Sequence, residues 1–227
     1  MGRLRERMPE KNIIRDTEFA KRFTTIVQRD PYFRRIYQNF VYKVLKLEKE
    51  SDKVLVIDSS PGFLSILLAK ENDKFEITDL SLSEGMITIA KENAEQNGVI
   101  NRINWKVGDA EDIPFNNSTF DLVISMNSLH HWRNPVRCFN EINRVLKVEG
   151  CLLLCDLRRD FSKIGALIVW MADKWGSKGE FMNSIRASYT VSEVQQLFAM
   201  SEFSEWDVKI ADILRLFIKS KKGVIEK

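Results

Sequence analysis

The chain has 227 residues, of which 44% are hydrophobic and 30% are charged, and this content suits one globular domain with an appendage. The formal net charge is +3 with both signs interspersed, which disfavours a dedicated nucleic-acid-binding protein, and no apolar run reaches the roughly 20 residues of a membrane span. Three cysteines, Cys138, Cys151 and Cys155, cannot form a set of paired disulfides, so we expect a reducing, cytoplasmic setting.

The N-terminal region predicts a helical appendage. Residues 1–15 are rich in basic side chains, carry no apolar run and are expected to be solvated. Helical periodicity follows over 17–29 and 31–48, with a break at Asp30-Pro31, because proline fits the first turn of a new helix. The predicted organisation is residues 1–50 as helices that pack on the core and residues 51–227 as the main domain.

From residue 53 onward, short β-branched runs alternate with helical patterns. The predicted elements are strand 53–58, helix 63–70, strand 74–79, a helix capped by Ser81 or Ser83 that ends near 97, strands 102–107 and 120–126, helix 135–147 and strand 151–156. Such alternation predicts a parallel sheet with helices on both faces.

After residue 156 the pattern changes. An apolar helical stretch over 161–175 precedes an irregular segment, 176–189, and Thr190 or Ser192 caps a helix that ends near 200. Two further runs, 205–210 and 213–219, predict an antiparallel hairpin at the sheet edge, with a tight turn near Asp212. The predicted fold is therefore α/β and doubly wound, with a seven-stranded, mostly parallel sheet and an antiparallel C-terminal edge hairpin.

Acidic residues follow two consecutive predicted strands. Ligands of doubly wound sheets bind at the carboxyl ends of the strands, where Asp79 and Asp109 stand. Asp79 can accept hydrogen bonds from ribose hydroxyls, and Asp109 from an adenine amino group. An isolated aspartate after a strand is usually an ordinary turn or cap residue, but the spaced pair indicates a nucleoside site.

Five segments resemble class I S-adenosylmethionine-dependent methyltransferases of the small-molecule group, in family order and at family spacing. They are VLVIDSSPGFLSILLAK, ITDLSLSEGMITIAKENA, WKVGDAEDIPF, FDLVISMNSLHHW and NRVLKVEGCLLLCD. The resemblance implies a Rossmann-like methyltransferase fold with S-adenosylmethionine as cofactor. It also implies that Asp79 binds the ribose, that Asp109 and Ala110 bind the adenine ring, and that Leu80 packs on that ring. The other expected cofactor-binding residues are Asp58, Ser59, Ser60, Gly62 and Met126.

The glycine motif departs from the family pattern. Asp-x-Gly-x-Gly-x-Gly falls on Val56, Asp58, Ser60 and Gly62, so only the last glycine is retained. Glycines there allow the backbone to approach the methionine part of the cofactor. Because residues 56 and 58 share a strand face, Asp58 can take over the amino-group contact. The opposite interpretation is that Asp58 repels the methionine carboxylate and weakens or abolishes binding.

His130 and His131 are the only histidines and follow the fourth predicted strand, close to where the methyl group should project. Either can act as a general base near neutral pH, and structural hydrogen bonding is the alternative role. No metal is expected, because Cys151 and Cys155 have no third or fourth ligand and suit core packing.

The sequence predicts transfer of a methyl group to a small-molecule acceptor by alignment and proximity, without nucleic-acid or membrane partners and with a possible homodimer. Residues 158–190 are interpreted as a lid-like insertion, a buried wall or a dimer contact, and Arg158, Arg159 and Arg186 are candidates for holding an anionic acceptor. The altered glycine motif motivates one alternative, a catalytically degenerate relative that binds a nucleoside ligand or a partner. A nicotinamide-dependent oxidoreductase is a weaker alternative, because no G-x-G-x-x-G is present.

Overall fold

The computed structural model describes residues 6–9, 17–47, 53–58, 61–161, 165 and 180–222. The helices are α1 (Thr17–Arg29), α2 (Pro31–Leu45), α3 (Phe63–Glu71), α4 (Glu84–Gln96), α5 (Pro135–Val145), α6 (Glu180–Ala187) and α7 (Val191–Ala199). The strands are β1 (Lys53–Ile57), β2 (Glu76–Ser81), β3 (Ile103–Val107), β4 (Phe120–Met126), β5 (Leu146–Leu157), β6 (Glu205–Ile210) and β7 (Arg215–Lys221). Short 3₁₀ turns lie at Ile100–Arg102 and Leu129–His131.

Within these described residues the sheet has seven strands in the order β3-β2-β1-β4-β5-β7-β6. Strands β1 to β5 pair in parallel, whereas β7 runs antiparallel between β5 and β6. The strand order reverses beside β1, between β2 and β4, which is where doubly wound sheets bind ligands. The predicted fold class is confirmed.

The two faces of the sheet are covered by different helices. On β1, Val54 and Val56 belong to the apolar cluster that includes α2 and α3, whereas Leu55 and Ile57 belong to the cluster of α5 and α7. Alternation along a strand sends successive side chains to opposite faces, so a continuous apolar run serves both cores. The carboxyl ends of the central strands lie between these two layers.

Helix α2 begins as the sequence predicts and packs on the sheet. The Asp30 carboxylate accepts a hydrogen bond from the Tyr32 N–H at 2.8 Å, and proline occupies the first helical position. The ring of Phe40 contacts that of Phe217 on β7, with centroids 6.2 Å apart. The division of the chain into residues 1–50 and 51–227 stays a prediction.

Several predicted boundaries shift because pairing between strands decides them. Strand β2 spans Glu76–Ser81, and Ser81 pairs with Val107. The strand predicted at 74–79 therefore lies two residues further along the chain. Helix α5 ends at Val145 rather than 147, since Leu146 already pairs with Phe120. Strand β7 begins at Arg215 rather than 213, after a turn in which the Arg215 carbonyl accepts from the N–H groups of residues 211 and 212.

The segment before α7 contains helix that the sequence reading missed. Residues 176–189 were expected to be irregular, yet α6 occupies Glu180–Ala187. Its Ile185 is fully buried against Leu157 and Leu214, and this tertiary contact stabilises a helix only eight residues long. The predicted apolar helix over 161–175 and its role as a lid lie almost wholly outside the described residues. Across the described parts of the chain, no helix is long and apolar enough to cross a membrane.

Candidate cofactor and acceptor site

The turn after β1 places an acidic side chain at the centre of the carboxyl edge. Asp58 adopts φ 53°, in the left-handed region, and its N–H donates to the Leu80 carbonyl at 2.8 Å. Strand β1 ends before Asp58, so the alternation of side chains does not extend to it from Val56, which is buried in the core. The prediction that Val56 and Asp58 share a strand face was wrong. Ser59 and Ser60 lie outside the described residues.

Gly62 closes this turn and immediately precedes α3. Its φ is 87°, and a Cβ atom there would lie 2.9 Å from the Cβ of Ala90 on α4. Both the left-handed backbone and the close approach of α4 require glycine, which explains why this glycine of the motif is retained.

Asp58 lies in a weakly solvated position among other acids. Burial, together with the charges of Asp79 and Asp109, raises the pKa of its carboxyl to about 7, although hydrogen bonds from the Leu82 N–H and the Trp132 indole partly offset this rise. The three acids expected from the sequence are thus close enough to interact electrostatically.

Asp79 is a buried residue on β2, and one of its carboxylate oxygens accepts a hydrogen bond from the Ser65 hydroxyl of α3 at 2.5 Å. The next residue, Leu80, shares an apolar cluster with Ala110 after β3. The residues expected to hold the ribose and the adenine ring therefore lie on adjoining strand ends. Their contacts with a cofactor stay a prediction.

Asp109 organises the loop after β3. One carboxylate oxygen accepts from the Glu111 N–H at 2.9 Å, and the other forms an ion pair of 3.0 Å with Arg133. About a third of the Asp109 side chain stays exposed, so the ion pair with Arg133, itself 64% exposed, is open to displacement by a ligand.

The end of β4 is tied to the ends of β1 and β5. Ser125 donates to the Ile57 carbonyl at 3.0 Å, and the Asn127 N–H donates to the Cys155 carbonyl at 2.9 Å. The Asn127 side-chain oxygen is buried and accepts no hydrogen bond within the described part of the chain. Met126, by contrast, places its side chain in the apolar core, 2% exposed.

A buried histidine–aspartate pair joins the ends of β4 and β5. His130 Nδ1 lies 2.5 Å from Asp156 Oδ1, which also accepts from the Leu157 N–H at 2.6 Å. The ring of His131 lies against that of His130, with centroids 3.8 Å apart. Asp156 was read only as the end of a strand, so the sequence reading missed this partner.

Residues 6–9 dock beside this pair. The Arg7 guanidinium donates to the Ala187 carbonyl at 2.7 Å and to the His130 carbonyl at 3.2 Å, and it lies 4.1 Å from the centroid of the Tyr189 ring. Met8 adds a backbone bond to the Arg186 carbonyl. The expectation of a solvated basic N-terminus was wrong at Arg7, because the open carbonyls at the end of α6 attract a cation.

Two of the three candidate arginines near the insertion are engaged with protein groups. Arg158 is paired with Asp160 at 2.7 Å, and the buried Arg159 is paired with Glu193 and also donates to the Ser188 carbonyl. Arg186 is exposed. Arg158 and Arg159 are thus occupied by protein groups, which leaves the exposed Arg186 as the candidate cation for an anionic acceptor.

The polar groups around the strand ends fit the cofactor that the sequence suggests. Asp58, Asp79 and Asp109 are hydrogen-bond acceptors, and the orphaned Asn127 oxygen adds another. S-adenosylmethionine presents ribose hydroxyls, an adenine amino group and an α-amino group as donors, and its sulfonium is cationic. An acceptor-rich, acidic site complements these donors and the positive charge of the sulfonium.

The fold matches solved methyltransferases. A Methanococcus maripaludis structure described as an S-adenosylmethionine-dependent methyltransferase superposes with a TM-score of 0.76 at 24% identity, covering 96% of this chain and 98% of that one. An S-adenosylmethionine-dependent methyltransferase from Aquifex aeolicus gives a TM-score of 0.68 at 18% identity, covering 92% and 99%. A family model described as a methyltransferase domain matches residues 45–154. Residues 45–154 are thus a methyltransferase domain, and the chain has the fold of the class I S-adenosylmethionine-dependent methyltransferases.

S-adenosylmethionine is accordingly the cofactor of this methyltransferase domain. Curated relatives match over shorter segments. A rice 2-methyl-6-phytyl-1,4-hydroquinone methyltransferase is 42% identical over 62 residues, covering 26% of this chain and 19% of that protein. A ubiquinone/menaquinone biosynthesis C-methyltransferase from Blochmanniella pennsylvanica is 37% identical over 59 residues, covering 26% and 23%. The chain thus aligns with about a fifth to a quarter of the length of these relatives.

Proposed function

We propose that the protein transfers the methyl group of S-adenosylmethionine to a small-molecule acceptor. The observation that carries the proposal is the group of three interacting acids at the carboxyl ends of β1, β2 and β3 in a class I methyltransferase fold. When bound, the cofactor supplies an electrophilic methyl group on a cationic sulfonium. The protein's own contribution is to hold the two reactants in line and to exclude water.

Individual residues have separate tasks in this proposal. Asp79 accepts hydrogen bonds from the ribose, and Leu80 and Ala110 form the apolar walls of the adenine site. Asp109 binds the adenine amino group after displacing Arg133. Asn127 receives a donor from the methionine part through its orphaned oxygen. Each assignment uses a group whose chemistry complements one part of the cofactor.

Two observations support a small acceptor. The end of the sheet at β4 and β5 is covered by the segment around Arg7 and by α6, so a folded macromolecule would have to displace both. The net charge of +3 with interspersed signs does not favour nucleic acid as the acceptor. The degenerate alternative rests on Asp58, which stands where the family has glycine.

Calorimetry with S-adenosylhomocysteine and S-adenosylmethionine tests the cofactor site. We expect the wild type to bind both and Asp79→Asn to bind about tenfold more weakly or worse, since a hydrogen bond to a charged group contributes roughly 1.5–3 kcal/mol. Asp73→Asn, at an exposed position outside the site, is the matched control and should bind like wild type. Absence of heat with either ligand at high micromolar concentration would reject the proposal.

The acceptor class is tested with cofactor labelled in its methyl group. Incubation with a fractionated cell extract should place the label in the small-molecule fraction. Label in protein or nucleic acid would contradict the small-molecule proposal, and tight cofactor binding with no transfer to any fraction would favour the degenerate alternative.

A further inference from the structure

We propose that His130 is the proton acceptor of the reaction, that Asp156 is its positioning residue, and that the acceptor molecule is methylated on a hydroxyl group. This inference rests on the proposed function and adds the class of atom that receives the methyl group. It distinguishes between the two histidines and brings in an acid that lies 26 positions away in the sequence.

Hydrogen bonding defines which ring nitrogen is basic. Asp156 Oδ1 is a carboxylate oxygen that already accepts the Leu157 N–H, so it can only accept from His130 Nδ1. Nδ1 therefore carries a proton, and in the neutral ring Nε2 keeps its lone pair. Nε2 forms no hydrogen bond within the described residues, so its lone pair is available to a ligand.

The pair is buried and held from several sides. The His130 and Asp156 side chains are 2% and 1% exposed, and Asp156 Oδ2 has no hydrogen-bond partner in the described parts of the chain. The charged or titratable groups that face the pair are His131 on the same turn, Arg7 from the N-terminal segment, and Tyr189 after α6. Such confinement fixes the ring orientation, as a positioned general base requires.

The location suits the acceptor end of the site. Asp79 and Asp109, expected to hold the nucleoside, lie on β2 and after β3, on one side of β1. His130 and Asp156 follow or end β4 and β5, on the other side. Asn127 joins the ends of β4 and β5 on this side through its bond to the Cys155 carbonyl. An acceptor placed beside His130 would therefore approach the methyl group from the side opposite the adenosine.

A base at this place matters more for a hydroxyl acceptor than for a carboxylate or an amine. A carboxylate needs no deprotonation, and a neutral amine attacks before it loses its proton. A hydroxyl is weakly nucleophilic until its proton leaves. As the new O–C bond forms and the C–S bond breaks, the C–S electron pair stays on sulfur and the hydroxyl proton passes to His130 Nε2. Asp156 stabilises the resulting imidazolium, which later releases the proton to solvent.

Nitrogen NMR tests the assignment without any substrate. The chain has two histidines, so histidine labelled with ¹⁵N gives four ring signals, and His131→Gln assigns those of His130. We expect a protonated Nδ1 and an unprotonated Nε2 at His130, with its signals shifting when S-adenosylhomocysteine saturates the protein. A proton on Nε2 in place of Nδ1, or no shift at saturation, would overturn the inference.

His130→Asn separates the catalytic role from the structural one. The asparagine amide retains an N–H for Asp156 near the place of Nδ1 but has no basic atom at the place of Nε2. Among phenols that the wild type methylates, we expect a loss of about 10²-fold or more with phenol itself and a much smaller loss with pentafluorophenol, which is already ionised at neutral pH. Equal losses for both would overturn the inference.

A second variant protects the experiment against misfolding. His130→Gln combined with Asp156→Asn leaves no buried charge and should stay folded while showing the same preference for the ionised phenol. Absence of cofactor heat with the wild type in calorimetry would instead count against the proposed function. Intact cofactor binding with equal losses for both phenols rejects only the inference about His130.

Discussion

At the residue scale, Asp58 is a departure from the glycine motif of the methyltransferases that the sequence resembles. A carboxyl group stands where the motif has glycine, in left-handed backbone and beside two other acids. Aspartate tolerates this backbone better than most residues, which explains how the turn keeps its shape. The unfavourable contribution is electrostatic, because burial and neighbouring negative charges disfavour the ionised carboxylate of Asp58.

The raised pKa of Asp58 predicts a pH-dependent stability. The folded state holds the Asp58 proton up to about pH 7, whereas the unfolded chain releases it near the ordinary value of 3.8. The folded state thus binds more protons between these values, so the free energy of unfolding should fall as pH rises through that window. Asp58→Asn should remove this fall.

Denaturant unfolding at about pH 5 and about pH 8 measures the effect, read as the difference between the two values of ΔG. Asp73→Asn, at an exposed aspartate, is the control and should keep the wild-type difference. If Asp58→Asn shows the same loss of stability as the wild type between the two pH values, the Asp58 carboxyl is ionised in the fold and the assignment fails.

At the element scale, short segments are held by contacts with distant parts of the chain. Residues 6–9 have no helix or strand of their own and are positioned by Arg7, which bridges the end of α6 and the turn at His130. Helix α7 is set by local chemistry as well, since Thr190 and Glu193 form a reciprocal capping box. The Glu193 carboxylate also pairs with Arg159, which links this cap to the end of β5.

Arg7→Ala should weaken the acceptor end of the site. Two hydrogen bonds from a charged group and the contact with Tyr189 are lost, so we expect about 1–3 kcal/mol less unfolding free energy in urea. Faster proteolysis within α6 should accompany this loss. Arg22→Ala is the control, because the exposed Arg22–Glu18 pair of α1 should contribute less than about 1 kcal/mol. Equal effects of the two substitutions would show that Arg7 only rests on the surface.

At the scale of the whole molecule, the sheet is covered on both faces and the N-terminal helices form part of one cover. Buried α2 residues and the β7 ring of Phe217 belong to the same apolar cluster or pack against it. The strand from the C-terminal hairpin therefore depends on a helix from the other end of the chain. This contact predicts that the first fifty residues unfold together with the rest.

Phe40→Ala tests this coupling. The 3% exposed Phe40 fills space between α2 and β7, and its truncation should cost about 3–5 kcal/mol. Urea unfolding followed separately by far-ultraviolet circular dichroism and tryptophan fluorescence should show one coincident transition at a lower midpoint. Tyr42→Ala, at a position of α2 that is 57% exposed, should have little effect. Two separate transitions in the wild type would contradict the coupling.

The sequence predicted well those features that local patterns encode. The alternation of apolar runs predicted the seven strands of the described sheet and its mostly parallel arrangement. The pair Asp30-Pro31 predicted the start of α2. The acids Asp79 and Asp109 were predicted as cofactor contacts because each stands at or just after the end of a predicted strand, and Gly62 was identified from the motif. Each of these signals lies within a few residues of the feature that it predicts.

The tertiary structure alone decided the features that join distant segments. His130 and Asp156 are 26 residues apart, and their contact follows from β4 lying beside β5, a neighbourhood that hydrophobic periodicity does not reveal. Arg7 contacts a carbonyl 180 positions away, and α6 forms because Ile185 finds a buried place against β5 and the loop before β7. Periodicity and turn residues act over a few residues and determine the elements, whereas side-chain pairs across the sheet edge depend on strand order and packing, which only the folded chain specifies.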